Sequence, residues 1–275
     1  METQVTRRTA LSLLTGGLWA LTTGISLEQA VAAASSRRSL KHKRSLKILT
    51  PEQTEGPFYV DKHLVRRDIR EDRQGVPLTL NIILRDATTG EVLPNAAVDI
   101  WHCDANGNYS GYAAMAEDDP LKGPPNGLLN SPPPHPINQT PTDDKTFLRG
   151  TQISDVDGIV RFTTIYPGWY QGRALHIHLK VHTGKGLGRW DFHDSHVCHT
   201  GQLFFPEDIS NKIAANSPYR DHEVERLNQN DDFVFQTQQG KKCLASVESA
   251  IVGDKKGYSA AVVLGVDPNA TPKKV

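Results

Sequence analysis

The chain has no excess of charge of either sign: 31 Lys and Arg residues stand against 31 Asp and Glu. Binding to nucleic acid or to an anionic membrane surface needs surplus cations to neutralise phosphates, so neither partner is expected. Cysteine is scarce, with Cys103, Cys198 and Cys243 alone. Three thiols cannot all pair within one chain and make no disulfide scaffold. One bond, Cys198 to Cys243, is the preferred pairing, although spacing does not fix connectivity. A long apolar run is also missing. The best stretch, Ala10 to Ile25, is diluted by Gly16, Gly17, Thr22, Thr23 and Gly24 and is short for a bilayer span. No internal repeat divides the chain, and only Pro206 to Asn216 offers a fair helical pattern.

What is present at the start reads as an export signal: a charged opening, the short apolar stretch, then Ala32-Ala33-Ala34. Residues 1–35 are assigned to it. Arg7-Arg8 resembles the twin-arginine signal, with Ala10 where that signal often has Phe. The protein is therefore expected to be exported, periplasmic or secreted, with no membrane anchor once the signal is cleaved. Residues 36–50, with "RRSLKHKRSLK", form a basic solvated linker, and 51–275 form a single domain.

In that domain the hydrophobic period is two. Leu78, Leu80 and Ile82 share one face, "ATTGEVLPN" supplies turn residues, and Val98 and Ile100 alternate again, which predicts a pair of strands with a turn between them. Asp155 to Gly158 offers another tight turn before a strand over Ile159 to Ile165. Short strands punctuated by Gly, Pro and Asp predict an all-β fold, a β-sandwich of mixed and antiparallel strands with long loops and little helix. The Pro-rich stretch 113–146 has no period at all, and a loop of that length is expected to be functional or mobile.

The strand "RALHIHLKVH" places Leu175, Ile177, Leu179 and Val181 on one face and His176, His178, Lys180 and His182 on the other. Alone, such a pair of histidines fits a water-exposed polar face as well as a metal site. Two imidazoles on one face can both reach one ion, however. Tyr170, in "YPGWYQGR", lies just upstream behind the Pro167-Gly168 turn, and Tyr109, in "WHCDANGNYSGY", follows another strand end.

These stretches, with the lead-in "TEGPFY", resemble the intradiol ring-cleavage dioxygenases from Thr54 to about Asp208. The resemblance implies a non-haem Fe(III) ion held by Tyr109, Tyr170, His176 and His178. It implies that a small aromatic diol displaces Tyr170, which serves as both ligand and base, and that O2 then cleaves the ring between the hydroxyl-bearing carbons. Arg173 matches an active-site arginine that stabilises negative charge on the ring. Gln202 matches a glutamine near the oxygen side, and Pro57, Tyr59, Trp101 and Trp169 are candidates for the pocket wall. Departures include a short basic linker where catechol-cleaving members carry a helical dimerisation segment, so a homo-oligomer is left open. The Tyr170 to His176 connection is also shorter than usual. Two competing readings remain: a secreted β-sandwich binding module without activity, and a cupin-like Fe(II) or zinc enzyme, which lacks the expected carboxylate. A second metal cluster of His193, His196, Cys198 and His199 is a further candidate.

Overall fold

The computed structural model describes residues 49–62, 64–112, 140–184 and 195–272. The export signal, nearly all of the basic linker, residues 113–139 of the Pro-rich stretch and His193 lie outside them.

Among the described residues, eight strands form two four-stranded sheets. The first sheet has the order β4 (Ile159–Ile165), β1 (Pro77–Asp86), β8 (Lys255–Val266), β7 (Ser246–Val252). The second has the order β3 (Arg149–Ile153), β2 (Ala97–Trp101), β5 (His176–Thr183), β6 (His196–Phe204). Only the β1–β8 pair is parallel, and the other ladders are antiparallel. The expected mixed β-sandwich is therefore present.

The period-two pattern sets the core. Leu78, Leu80, Ile82 and Leu84 of β1 pack with Val98 and Ile100 of β2, Phe162 of β4, and Ile177, Leu179 and Val181 of β5 between the sheets. One expectation changes here. β1 and β2 do not pair with each other, because the turn between them carries the chain from one sheet to the other, and β3 to β4 does the same. Alternation reports which face is buried but not which strand lies alongside.

The second sheet differs from the first in being covered on both faces. Every residue of β5 is buried, including the polar-face positions. The cover is the lead-in segment at residues 50–60. Gln53 N bonds Thr200 O at 3.0 Å, the Gln53 side chain accepts from Gln202 N at 2.7 Å, and Lys180 Nζ pairs with Glu55 at 2.8 Å. Helix α1 (Glu207–Ala214) occupies the segment with helical pattern and buries Ile213 and Ser210. A short helix α2 spans Phe233–Thr237.

All three cysteines are free and buried, which corrects the expected Cys198–Cys243 bond. Cys198 belongs to the core between the sheets, whereas Cys243 packs with Phe204, Val234 and Phe235 in a separate cluster.

Candidate metal centre

His176 and His178 project from β5 onto the covered outer face of the second sheet, and Ile177 between them enters the core. With exposures of 2% and 0% for the two histidines, the water-facing reading is ruled out. Their Nε2 atoms lie 2.9 Å apart. His176 Nδ1 is 2.6 Å from the Ala174 carbonyl oxygen, which can only accept. Nδ1 is therefore assigned the proton, leaving a lone pair on Nε2. His178 Nδ1 has no hydrogen-bond partner. Its ring is fixed by stacking on Trp101, at 5.1 Å and 5°, and by Gly56, where a Cβ would come within 3.0 Å of Cε1.

The two tyrosines arrive on loops that follow β2 and β4. Asp104 Oδ1 accepts from the backbone N–H groups of Asn106 and Asn108, both at 3.0 Å, which shapes the turn before Tyr109. The loops then touch backbone to backbone at two points. A Cβ on Gly168 would sit 2.1 Å from the Asp104 carbonyl, and one on Gly107 2.5 Å from the Trp169 carbonyl, so only glycine permits the approach. His102 ties the strand ends beneath, with Nε2 at 2.8 Å from Thr164 Oγ1 and Nδ1 at 2.8 Å from the Cys103 carbonyl. As a result the Tyr109 and Tyr170 rings lie 5.9 Å apart, with Tyr170 at 5.7 Å from His176 and Tyr109 at 6.2 Å from His178.

Burial pushes both phenols up, Tyr109 well above the ordinary range, while Arg173 opposes the shift at Tyr170. Burial likewise pulls His176 down to about 3 and His178 well below its usual value. The four donors are thus neutral by themselves, and an ionised phenolate in this place needs a cation beside it. Tyr109 Oη has no hydrogen-bond partner, as suits a donor awaiting an ion. Among the described residues no group of three or more His, Cys, Asp or Glu could hold a metal, and the side chains that face the two imidazoles with oxygen donors are Tyr109 and Tyr170. Hard phenolate oxygens with imidazole nitrogens fit Fe(III).

Arg173 Nη1 donates to Tyr170 Oη at 3.4 Å and Nη2 to Gln202 Oε1 at 2.6 Å. Its Nε bonds Asp232 Oδ2 at 2.9 Å, and the same carboxylate accepts from Ala174 N at 2.8 Å and caps α2 through Phe235 N. Asp232 escaped sequence reasoning because it lies 59 residues away from Arg173, and an Asp before a short apolar run reads as a helix cap. Phe58 was missed too. It stacks on Tyr109 at 4.3 Å and meets Tyr170 edge-on at 5.6 Å.

The candidate pocket residues divide. Trp101 touches the site, the Tyr59 ring lies tilted against Trp101 at 4.8 Å, and Pro57 is half-buried beside Phe58. Trp169 is not brought in. It packs in the main core against His222 and donates Nε1 to Val224 O at 2.8 Å. The second metal cluster does not assemble among the described residues: His196 Nε2 bonds Ala270 O, His199 Nδ1 pairs with Glu52, and Cys198 is in the core.

A two-sheet sandwich with two histidines on one strand and two tyrosines on clasped loops defines a candidate non-haem metalloprotein. No family model matches the chain. The catechol 1,2-dioxygenase of Pseudomonas sp. (strain EST1001) is 28% identical over 199 residues, 69% of this chain and 52% of that protein. The catechol 1,2-dioxygenase of Acinetobacter baylyi (strain ATCC 33305 / BD413 / ADP1) is 29% identical over 126 residues, 44% of this chain and 32% of that one. The chain thus spans about half of the length of the first of these curated relatives and about a third of the second. The solved structure of an intradiol ring-cleavage dioxygenase from Tetranychus urticae matches with a TM-score of 0.67 at 29% identity, covering 82% of this chain and 98% of that one. In sequence and in fold the chain is similar to intradiol ring-cleavage dioxygenases.

Proposed function

We propose that the protein is a non-haem Fe(III) intradiol dioxygenase. It opens a catechol-type ring between the two hydroxyl-bearing carbons, incorporating both atoms of O2, and gives a muconate-type dicarboxylic acid. The observation that carries this reading is the convergence of two buried imidazoles, with Nε2 atoms 2.9 Å apart, and two loop-borne phenols, one of them without any hydrogen-bond partner.

When bound, the ferric ion would supply Lewis acidity towards the diol and draw electron density from the ring for reaction with dioxygen. Tyr109, Tyr170, His176 and His178 would hold it. The residues divide the remaining work by their surroundings. Tyr170 is the one donor of the four that is only half-buried, whereas Tyr109 is 2% exposed. An arriving diol therefore meets Tyr170 first, and its Oη is placed to take up a substrate proton. Arg173, beside that oxygen, keeps a fixed charge aimed where negative charge develops on the ring. Asp232 and Gln202 prevent its guanidinium from drifting. Phe58 and Tyr170 form an apolar edge suited to a flat aromatic ring.

The catechol 1,2-dioxygenase relatives make catechol the first substrate to try. Oxygen uptake by the iron-loaded protein over catechol, protocatechuate, hydroxyquinol and larger lignin-type catechols tests the reading. One O2 consumed per ring-opened diacid formed is the expected result, and no uptake with any of them contradicts it. The export-signal pattern of residues 1–35 supports export, which would direct the enzyme to catechols outside the cell. An intact N-terminus on protein recovered from the cytoplasm alone would count against export.

A further inference from the structure

Arg149 is a buried cation, 3% exposed, that no step above employs. It opens β3, directly opposite Trp101 of β2. Its Nε donates to Ser110 Oγ at 2.8 Å and to Ser110 O at 3.2 Å, and its Nη2 donates to Ser110 O and to Phe58 O, both at 2.7 Å. The guanidinium also lies over the Tyr112 ring, 5.9 Å from its centroid.

These contacts select one side chain. Ser110 follows Tyr109 in the chain, and Phe58 stacks on the Tyr109 ring at 4.3 Å and 18°. Arg149 therefore grips both the backbone that carries Tyr109 and the residue that covers its face. Tyr109 Oη itself has no hydrogen bond to orient it, whereas Tyr170 Oη has Arg173. A planar guanidinium can bridge two carbonyls at once in a rigid fork, and a lysine ammonium cannot reproduce that fork.

We infer that Arg149 is a positioning residue for Tyr109: by clamping Ser110 and Phe58 it sets the phenol as the ligand that stays, leaving Tyr170 as the one that leaves. This rests on the ferric reading above. Arg149 touches neither metal nor substrate in this scheme, so its effect must appear in the Tyr109 ligand bond and not only in turnover.

The test uses the full chain in a Tyr170→Phe background, where Tyr109 is the remaining phenolate and the visible charge-transfer band and resonance Raman tyrosinate modes report on it alone. Adding Arg149→Lys is expected to move both signals and to weaken ferric binding at least ~10-fold, the scale on which groups behind a ligand act. Near-UV circular dichroism of the iron-free protein verifies the fold. Unchanged spectra and affinity in a folded Arg149→Lys protein would overturn the inference while leaving the ferric assignment intact. No tyrosinate band in Tyr170→Phe with Arg149 present would overturn that assignment, and the inference with it. Should the lysine variant not fold, Ser110→Ala removes only the Oγ acceptor. A smaller shift in the Tyr109 signals supports the clamp, and none refutes it.

Discussion

Tyr109 and Tyr170 carry the same functional group in opposite surroundings, and that difference is where single residues decide the chemistry. Tyr109 is sealed beneath Phe58 and has no hydrogen bond, while Tyr170 is half-buried and touches Arg173. Tyr109→Phe and His178→Ala should each lose iron when metal content is measured per chain, and full content in either would remove that residue from the ligand set. Asp232→Asn should free Arg173. Breaking a buried charge pair from one side costs roughly 3–5 kcal/mol, so urea unfolding should show a loss of that order, and turnover should drop more than iron content does. Of this site, the two histidines were visible in sequence as a same-face pair on a strand, and it was the resemblance to the intradiol dioxygenases that joined Tyr109 and Tyr170 to them. Phe58, Arg149 and Asp232 were not visible, since each acts through contacts that bridge distant parts of the chain, as Arg149 does over 91 residues to Phe58. Trp169 was misplaced because a tryptophan beside a site and a tryptophan in a core look alike in sequence.

At the scale of elements, the two histidines of the centre sit on β5 and its two tyrosines follow the ends of β2 and β4, which belong to different sheets. Alternation in "LTLNIILRD" and "AAVDIW" showed the buried faces plainly, but sheet assignment depends on pairing between remote strands, so the crossing of the chain from sheet to sheet was hidden. The clasp of the two tyrosine loops makes this crossing functional. Gly168→Ala would force a Cβ within 2.1 Å of the Asp104 carbonyl. Because the obstacle is backbone, the loops must separate. The variant is expected to melt at lower temperature and to lose ferric affinity, and retention of both would show that the clasp is dispensable.

For the whole molecule, the covered outer face of the second sheet is the unusual feature, because it buries titratable groups outside the centre. Burial pushes Asp99 up from 3.8 to about 7, against the pull of Arg149 and the Thr151 hydroxyl bond. Its folded value is raised, so its contribution is fully present below pH 3.8. That contribution is lost as pH climbs through about 7, by an amount on the order of 4 kcal/mol. Asp99→Asn stays neutral throughout. Relative to the unmodified iron-free protein, its unfolding free energy should therefore improve steadily from pH 4 to pH 7.5 in urea titrations, and a pH-independent difference would contradict the assignment. The central claim, that Tyr109, Tyr170, His176 and His178 together make one ferric site, is tested most directly by iron stoichiometry together with the visible spectrum of the purified protein. About one iron per chain with a tyrosinate charge-transfer band that changes on adding catechol is the expected result. An iron-replete preparation that is colourless, or a band untouched by catechol, would contradict it.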